Sequence, residues 1–468
     1  MGPKRRQTGT QGPLVVSRPK TVHNAGDGGM VKPGLEARQA AAKLLAAVVD
    51  KKTPLDGLLD PSGGNPAFRN LEPADQALVR AILLSALRQL PVIEAMLARL
   101  VNRPLPGGAR ALSHVLTVGA AQILYLDTPD HAAVDLAVEQ ASRDPRNRRY
   151  TALVNAVLRR LIREKSGLLP QMEAKTVNAP PWFYERLQEA YGADADKILA
   201  AQALAPPIDI TVKSDPRGWA ERLGGIFLPT GSVRLRPFEG PITQLPGFAE
   251  GEWWVQDAAA SIPAQLFGNL AGVRVADLCA APGGKTAQLV AAGARVTAVD
   301  LSRNRLRRLA ENLDRLKLEA EIVQTDLLKW RPDEAFDAVL LDAPCSSTGT
   351  VRRHPDIPWT KSPADIDKLS ELQERMLRHA VTLIRPGGMV VFSNCSLDPR
   401  EGENMVERVL SSLPEISRKP VETIGLQGLE FAITASGDVR THPAMLECET
   451  PQLSGMDGFF ASVLMRMG

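Results

Sequence analysis

Asp277-Leu278-Cys279-Ala280-Ala281-Pro282-Gly283-Gly284-Lys285-Thr286 closes the apolar run Val273–Leu278 and opens a helical one. Small residues and two glycines at such a turn let the backbone approach a ligand at a helix N-terminus, where free N–H groups point outward. The same alternation repeats downstream. Arg295–Asp300, Ala320–Asp326, Asp337–Asp342 and Gly388–Asn394 each read as a strand ending in a turn. Thr286–Ala292, Arg303–Lys317 and Ile366–Ile384 read as helices between them. Strands alternating with helices predict a parallel sheet covered on both faces. Ligands of such sheets sit outside the carboxyl ends of the strands.

Three chemistries compete for the first turn. Gly284-Lys285-Thr286 matches the end of a phosphate-binding P-loop, but that motif needs glycine where Cys279 stands. A dinucleotide site wants G-x-G-x-x-G, which is absent. An S-adenosylmethionine (SAM) methyltransferase also has a glycine-rich first turn, and places an acid at the end of the second strand for the ribose hydroxyls. Asp300 stands there, and Asp326, ending the third strand, would sit by the adenine. One such aspartate alone is as readily a helix N-cap. Three strand-end acids in a row, Asp300, Asp326 and Asp342, favour the methyltransferase.

Strand four ends Asp342-Ala343-Pro344-Cys345-Ser346 and strand five ends Ser393-Asn394-Cys395-Ser396. Adjacent parallel strands lie about 4.8 Å apart, so the two thiols can share one pocket. A lone free cysteine is often just a small buried hydrophobe; two at matching strand ends, beside a methyl donor, point to chemistry. Methylation of pyrimidine carbon 5 needs a thiolate, which adds to carbon 6 and makes carbon 5 nucleophilic; it leaves after a base takes the carbon 5 proton. That requires a lowered thiol pKa. Spacing alone does not say which cysteine attacks.

At roughly 150 residues per domain, 468 residues predict about three folded units. A hydrophobic content of 44% supports large cores. No apolar run approaches the roughly 20 residues of a membrane span. Four cysteines lie far apart without a C-x-x-C pair, which excludes a disulfide scaffold and fits a reducing, cytoplasmic setting. Six histidines without H-x-x-x-H spacing argue against a metal enzyme, so no metal is expected. Residues 1–33 read as a disordered basic arm. Residues 34–165 carry helical periodicity in four runs, among them Leu78, Ile82 and Ala86, then Leu112, Val115 and Leu116. Net charge is only +3, yet Ala141–Lys165 holds eight basic residues: Arg143, Arg146, Arg148, Arg149, Arg159, Arg160, Arg163 and Lys165. A solvated face and phosphate contact both explain such a run. Residues 166–267 read as a Pro-rich linker and a small α+β, RNA-binding segment with strand-like Ile208–Val212 and Ser232–Leu235. In it Trp253-Trp254 suits base stacking or, more ordinarily, core packing. Residues 268–468 form the α/β catalytic domain.

Two resemblances follow. Leu71–Val79, Pro129–Val134 and Leu153–Arg160 resemble the NusB-like RNA-binding domain, which lends weight to phosphate contact. Cys279–Lys285, Asp342–Ser346, the turn around Cys395, Arg352–Asp356 and Met456–Phe460 resemble the Sun family of RNA cytosine-5 methyltransferases. A NusB-like domain fused to that core is similar to bacterial members that methylate 16S (small-subunit) ribosomal RNA. The resemblance implies an all-α NusB-like domain, a small α+β segment and a Rossmann-like SAM-dependent methyltransferase domain. It implies Cys395 as nucleophile and Cys345 as the thiol that assists release. It further implies that Asp342 and Lys285 orient base or cofactor, and that Cys279, Ala280, Ala281, Pro282, Gly283, Gly284, Lys285, Asp300, Arg305, Asp326 and Asp342 surround SAM. The expected substrate is small-subunit rRNA, with transfer RNA also open, and the expected state is a monomer. One departure stands out: the family usually has Thr before the nucleophilic cysteine, and Asn394 stands here. An Asn still offers both a donor and an acceptor. The competing reading, from another class, is a non-catalytic RNA-binding or antitermination factor on a degenerate methyltransferase fold.

Overall fold

Why the Cys345 and Cys395 turns meet is a matter of strand order. In the computed structural model, which describes residues 32–101, 103–106, 108–422 and 426–468, the C-terminal half is built on an eight-stranded sheet. The basic arm at 1–33 lies almost wholly outside the described residues.

The first helices are α1 (Leu35–Lys51), the short α2 (Leu55–Leu58) and α3 (Pro66–Arg69), α4 (Pro73–Arg88), α5 (Leu90–Leu100), α6 (Arg110–Tyr125), α7 (Asp130–Arg143) and α8 (Thr151–Lys175). Their apolar faces close one core, with Leu45, Ile82, Leu116 and Leu158 fully or nearly fully buried. The expected boundary at 165 falls inside α8. Gly167 and Pro170 read as stop signals, but Leu168, Leu169 and Met172 pack on the bundle and carry the helix to Lys175.

Helices α9 (Pro181–Tyr191) and α10 (Ala195–Gln202) lead to a small antiparallel sheet in the order β2-β3-β1-β4. It comprises β1 (Ile208–Val212), α11 (Pro216–Arg222), β2 (Ile226–Phe227), β3 (Val233–Leu235) and β4 (Trp253–Val255). Trp253 and Trp254 are both buried, and their indole N–H groups donate to Pro246 O and Gln256 Oε1. Packing has consumed both rings, so neither stacks on a nucleobase.

Then come α12 (Ala258–Gln265), β5 (Arg274–Leu278), α13 (Gly284–Ala291), β6 (Arg295–Asp300), α14 (Arg303–Leu316), β7 (Glu321–Gln324) and β8 (Phe336–Asp342). The chain ends with α15 (Ile357–Thr360), α16 (Pro363–Thr382), β9 (Ile384–Asn394), α17 (Glu403–Ser412), β10 (Ile416–Arg418), β11 (Val439–Arg440) and β12 (Phe460–Arg466). The sheet order is β10-β12-β9-β8-β5-β6-β7, with β11 on β12. The five expected strands are parallel, as read; β12 enters antiparallel beside β9 and makes the sheet mixed. Side chains alternate between faces. Val275, Leu340 and Val391 meet Leu289 of α13, while Val339, Val390 and Phe392 meet Leu377 of α16 and Val406 of α17. The order reverses between β5 and β8, and a crevice opens at such a switch point.

Residues 34–468 form one compact unit. Among the described residues no single helix is long and apolar enough to cross a membrane. No cluster of three or more His, Cys, Asp or Glu able to hold a metal occurs among them.

Candidate active site

The crevice is an open cleft of about 280 Å³ over the carboxyl ends of β5, β8 and β9. Ala280, Ala281, Pro282, Gly284 and Lys285 form one wall, Asp342 and Cys395 the floor, and Phe459 and Asp457 the far side. Gly283 has φ +103°, and a Cβ there would come within 2.9 Å of Leu309, so glycine is required for α14 to pack against the turn. Cys279 itself adopts a left-handed φ of +61°.

Lys285, nearly buried, donates to Asp342 Oδ2 at 2.8 Å, and its ammonium lies 5.0 Å from the centre of the Phe459 ring. Ser393 donates to the other Asp342 oxygen at 2.9 Å. The two sulfurs of Cys345 and Cys395 lie 3.4 Å apart. Ser347, with a left-handed φ of +60°, puts its hydroxyl 3.5 Å from Cys395 and 3.8 Å from Cys345. At this separation the two sulfurs are hydrogen-bonded, and either thiol can be the donor. The Cys345 thiol bonded to it holds Cys395 below the ordinary thiol range against the cost of burial, helped by the Ser347 hydroxyl and Lys285. Cys345 is pushed well above that range by the same bond and by burial. Only Cys395 of the pair lines the cleft.

The remaining expected residues do not line the cleft. Asp300 ends β6, nearly buried, its oxygens accepting from Ala281 N at 3.3 Å and Ser302 N at 2.9 Å. Arg305 turns inward, donating to Ala281 O with its guanidinium 3.6 Å from Asp300. Asp326, two residues past β7, caps the following turn through Leu328 N at 3.0 Å. Burial pushes the Cys279 thiol up to about 12, so it is an inert neighbour of the turn.

Several site residues had no role in the sequence reading. Asp277, the last acid inside β5, is fully buried; Thr286 donates to one oxygen at 2.6 Å, and Oδ1 has no partner among the described residues. Burial raises its carboxyl to about 7, with Asp342 and Asp300 adding to the rise. A cation brought to this wall restores the charged form. The acids therefore fit a cofactor that carries an ammonium and hydroxyl groups, as SAM does. The sequence signal was present: an acid within an otherwise apolar strand. Arg353 bridges Asp257 and Asp457 at 2.6 and 2.9 Å on the opposite wall. Only folding brings those three together, across 200 residues of chain.

Comparison with known proteins agrees with this geometry. The family model "16S rRNA methyltransferase RsmB/F" matches residues 269–465, and that of the NusB family matches 35–163. Ribosomal RNA small subunit methyltransferase B of Vibrio cholerae is 36% identical over 398 residues, 81% of this chain and 90% of that protein. The Klebsiella pneumoniae protein of the same name is 35% identical, covering 82% and 92%. The chain belongs to the RsmB/F methyltransferase family. A solved Pyrococcus horikoshii methyltransferase homologue superimposes on this RsmB/F chain with a TM-score of 0.51 at 25% identity, covering 60% of it and 94% of that structure.

The RsmB/F chain keeps its cysteine turn with Asn394 in place of the expected threonine. Asn394 Nδ2 donates to Glu401 O at 2.6 Å and its Oδ1 accepts from Ser396 N at 2.9 Å. Both capacities of the amide are used. Gly349 packs against Gly458, where a Cβ would meet a carbonyl oxygen at 2.0 Å, so the segment before β12 packs on the turn whose Gly349 N–H donates to Cys395 O.

Proposed function

We propose that this RsmB/F-family methyltransferase forms 5-methylcytosine in 16S rRNA by covalent catalysis, with Cys395 as nucleophile and Cys345 as the thiol that releases the product. The observation that carries the reading is the pair of sulfurs 3.4 Å apart on adjacent strand ends, one of them lining the cleft. An enzyme that methylates an amine or hydroxyl has no use for such a pair.

The Cys395 thiolate adds to carbon 6 of the base, forming a C–S bond and moving the ring π-electrons to carbon 5. Carbon 5 forms the new C–C bond, a base removes its proton, and the C–S bond breaks to regenerate the thiolate. Bound SAM would supply the electrophilic methyl group, its sulfur keeping the electron pair of the broken S–CH3 bond as a neutral thioether. Ala280, Ala281, Pro282, Gly283, Gly284 and Lys285 form the cofactor wall, with Cys279, Asp300, Arg305 and Asp326 behind it and Asp277 for its ammonium. Asp342, held by Lys285 and Ser393, orients the base. Cytosine must leave its stack to reach this floor, at a cost of a few kcal/mol, which favours loop or single-stranded RNA.

For the NusB-like domain, 34–165, and the small segment, 166–267, we infer an RNA-holding role; residues 268–468 carry the chemistry. Four of the eight basic residues at 141–165 are paired with carboxylates: Arg143 with Glu139, Arg146 with Asp144, Arg160 with Glu164 and Lys165 with Asp130. Arg148, Arg149, Arg159 and Arg163 are exposed, and supply the phosphate contact.

The test is a denaturing gel of Cys345→Ala mixed with SAM and small-subunit rRNA. A protein–RNA band is expected, lost when Cys395→Ala is added. Methyl transfer that persists in Cys395→Ala overturns the assignment of the nucleophile. No transfer by the wild type to any RNA favours a binding factor instead.

A further inference from the structure

Both cysteine turns hang on one buried acid. Glu401, with no exposed surface, accepts at Oε1 from Ser346 N and from Gln373 Nε2, each at 2.9 Å. Its Oε2 accepts from the Ser346 hydroxyl and, at 2.6 Å, from the Ser396 hydroxyl. Its backbone carbonyl takes the Asn394 amide. Glu401 thus grips the residue after each cysteine and, through its backbone, the residue before Cys395.

The surroundings of the two thiols are unequal. Glu401 holds the Cys345 turn by two bonds, to Ser346 N and the Ser346 hydroxyl, and the Cys395 turn by one side-chain bond, to the Ser396 hydroxyl, so its charge opposes ionisation of Cys345. Burial raises the Glu401 carboxyl above its usual range, and the same hydrogen bonds act against that rise. Cys395 faces Lys285 and Asp342, which are ion-paired with each other, so attraction and repulsion there largely offset. The other charged groups nearby are His354, which feels Cys395, Arg440, which donates to the backbone oxygen of Ser396, and Asp398, whose backbone N–H donates to the Ser396 hydroxyl while its carboxylate accepts from Arg186.

We propose that Glu401 is the positioning residue that decides which of the two hydrogen-bonded sulfurs ionises: its charge holds Cys345 as the thiol and leaves Cys395 as the thiolate. The proposal deepens the reading of Cys395 as nucleophile and rests on it.

Glutamine is a clean probe of this role. In Glu401→Gln the amide oxygen keeps Ser346 N and Gln373, while the amide nitrogen donates to the two serine hydroxyls, which can accept. The grip survives and the charge goes. RNA-free protein is treated with iodoacetamide across about pH 6–10, and the modification of Cys345 and Cys395 is followed separately by peptide mass spectrometry. In the wild type Cys395 reacts at lower pH than Cys345. In Glu401→Gln the two profiles approach by about one pH unit, a roughly tenfold loss of selectivity. An unchanged separation in the folded variant overturns the proposal.

Single-cysteine variants that keep Glu401 give a second arm. Cys345 in Cys395→Ala is expected to titrate above the free-thiol value of about 8.5, and Cys395 in Cys345→Ala below Cys345. The reverse order overturns the proposal. Alkylation requires no RNA, so a failed RNA adduct would refute the function without altering this result.

Discussion

Asn394 carries two hydrogen bonds to the backbone of the Cys395 turn, one as donor and one as acceptor. Asn394→Ala leaves Glu401 O and Ser396 N buried without those partners, at a cost of about 1–3 kcal/mol, and frees the turn. The expected result is a lower urea midpoint together with a loss of methyl transfer larger than the loss of folded protein. Asn394→Thr supplies one hydroxyl for the two bonds and should fall between the wild type and Ala. A wild-type midpoint in Asn394→Ala would contradict this. At this scale the meeting of the two thiols and Asp342 at neighbouring strand ends, with Lys285 on the first turn of α13, was legible from residue type and position. Asp277, Glu401 and the Arg353 bridge were not, because a buried carboxylate acquires its role from donors distant in sequence.

Among elements, a buried ion pair inside the small sheet also anchors that sheet to the segment before β12. Asp209 on β1 and Arg234 on β3 face each other in register, both side chains fully buried, joined by two bonds of 2.7 Å. Asp209 also accepts from Ala258 N at the start of α12, and Arg234 donates to Leu453 O before β12. Asp209→Ala strands a buried guanidinium and is expected to cost about 3–5 kcal/mol, read as a fall in the denaturant midpoint. Replacing both residues by apolar ones should recover part of that loss. A change below about 1 kcal/mol for Asp209→Ala would refute this account. The strands and helices of the catalytic half were readable from period and punctuation. Two features were missed. Helix α8 runs through its Gly and Pro because tertiary packing outweighs local propensity, and β12 pairs antiparallel with β9, a choice made by long-range hydrogen bonding.

On the scale of the whole molecule, Arg352–Asp356 and the residues after them join the helical domain to the site. Asp356 accepts from Leu55 N at 2.9 Å, Trp359 donates to Leu87 O at 3.2 Å, and His354 lies 3.3 Å from Asp56, while Arg353 reaches into the cleft. The hydrogen bond to Asp56 raises His354 above its usual 6.5, and the same bond lowers Asp56 below 3.8. The histidine's contribution is full below 6.5 and is lost as pH rises through its folded value. The aspartate's is present above 3.8 and is lost as pH falls through its folded value. The stabilisation by this partly exposed pair, about 0.2–1 kcal/mol, is therefore greatest between those limits. The Tm gap between wild type and His354→Gln should be widest near pH 5 and close in alkaline buffer; a gap that is constant with pH would refute the pair. The sequence by itself determined the alternating fold, the helical domain and which candidate groups stand at the strand ends, since periodicity and residue chemistry are local properties. Only the tertiary structure decided which sulfur faces the cleft, which acid grips both cysteine turns and whether Trp253 and Trp254 are free. Burial, charge and hydrogen-bond partners at those positions come from segments that meet only when the sheet is assembled.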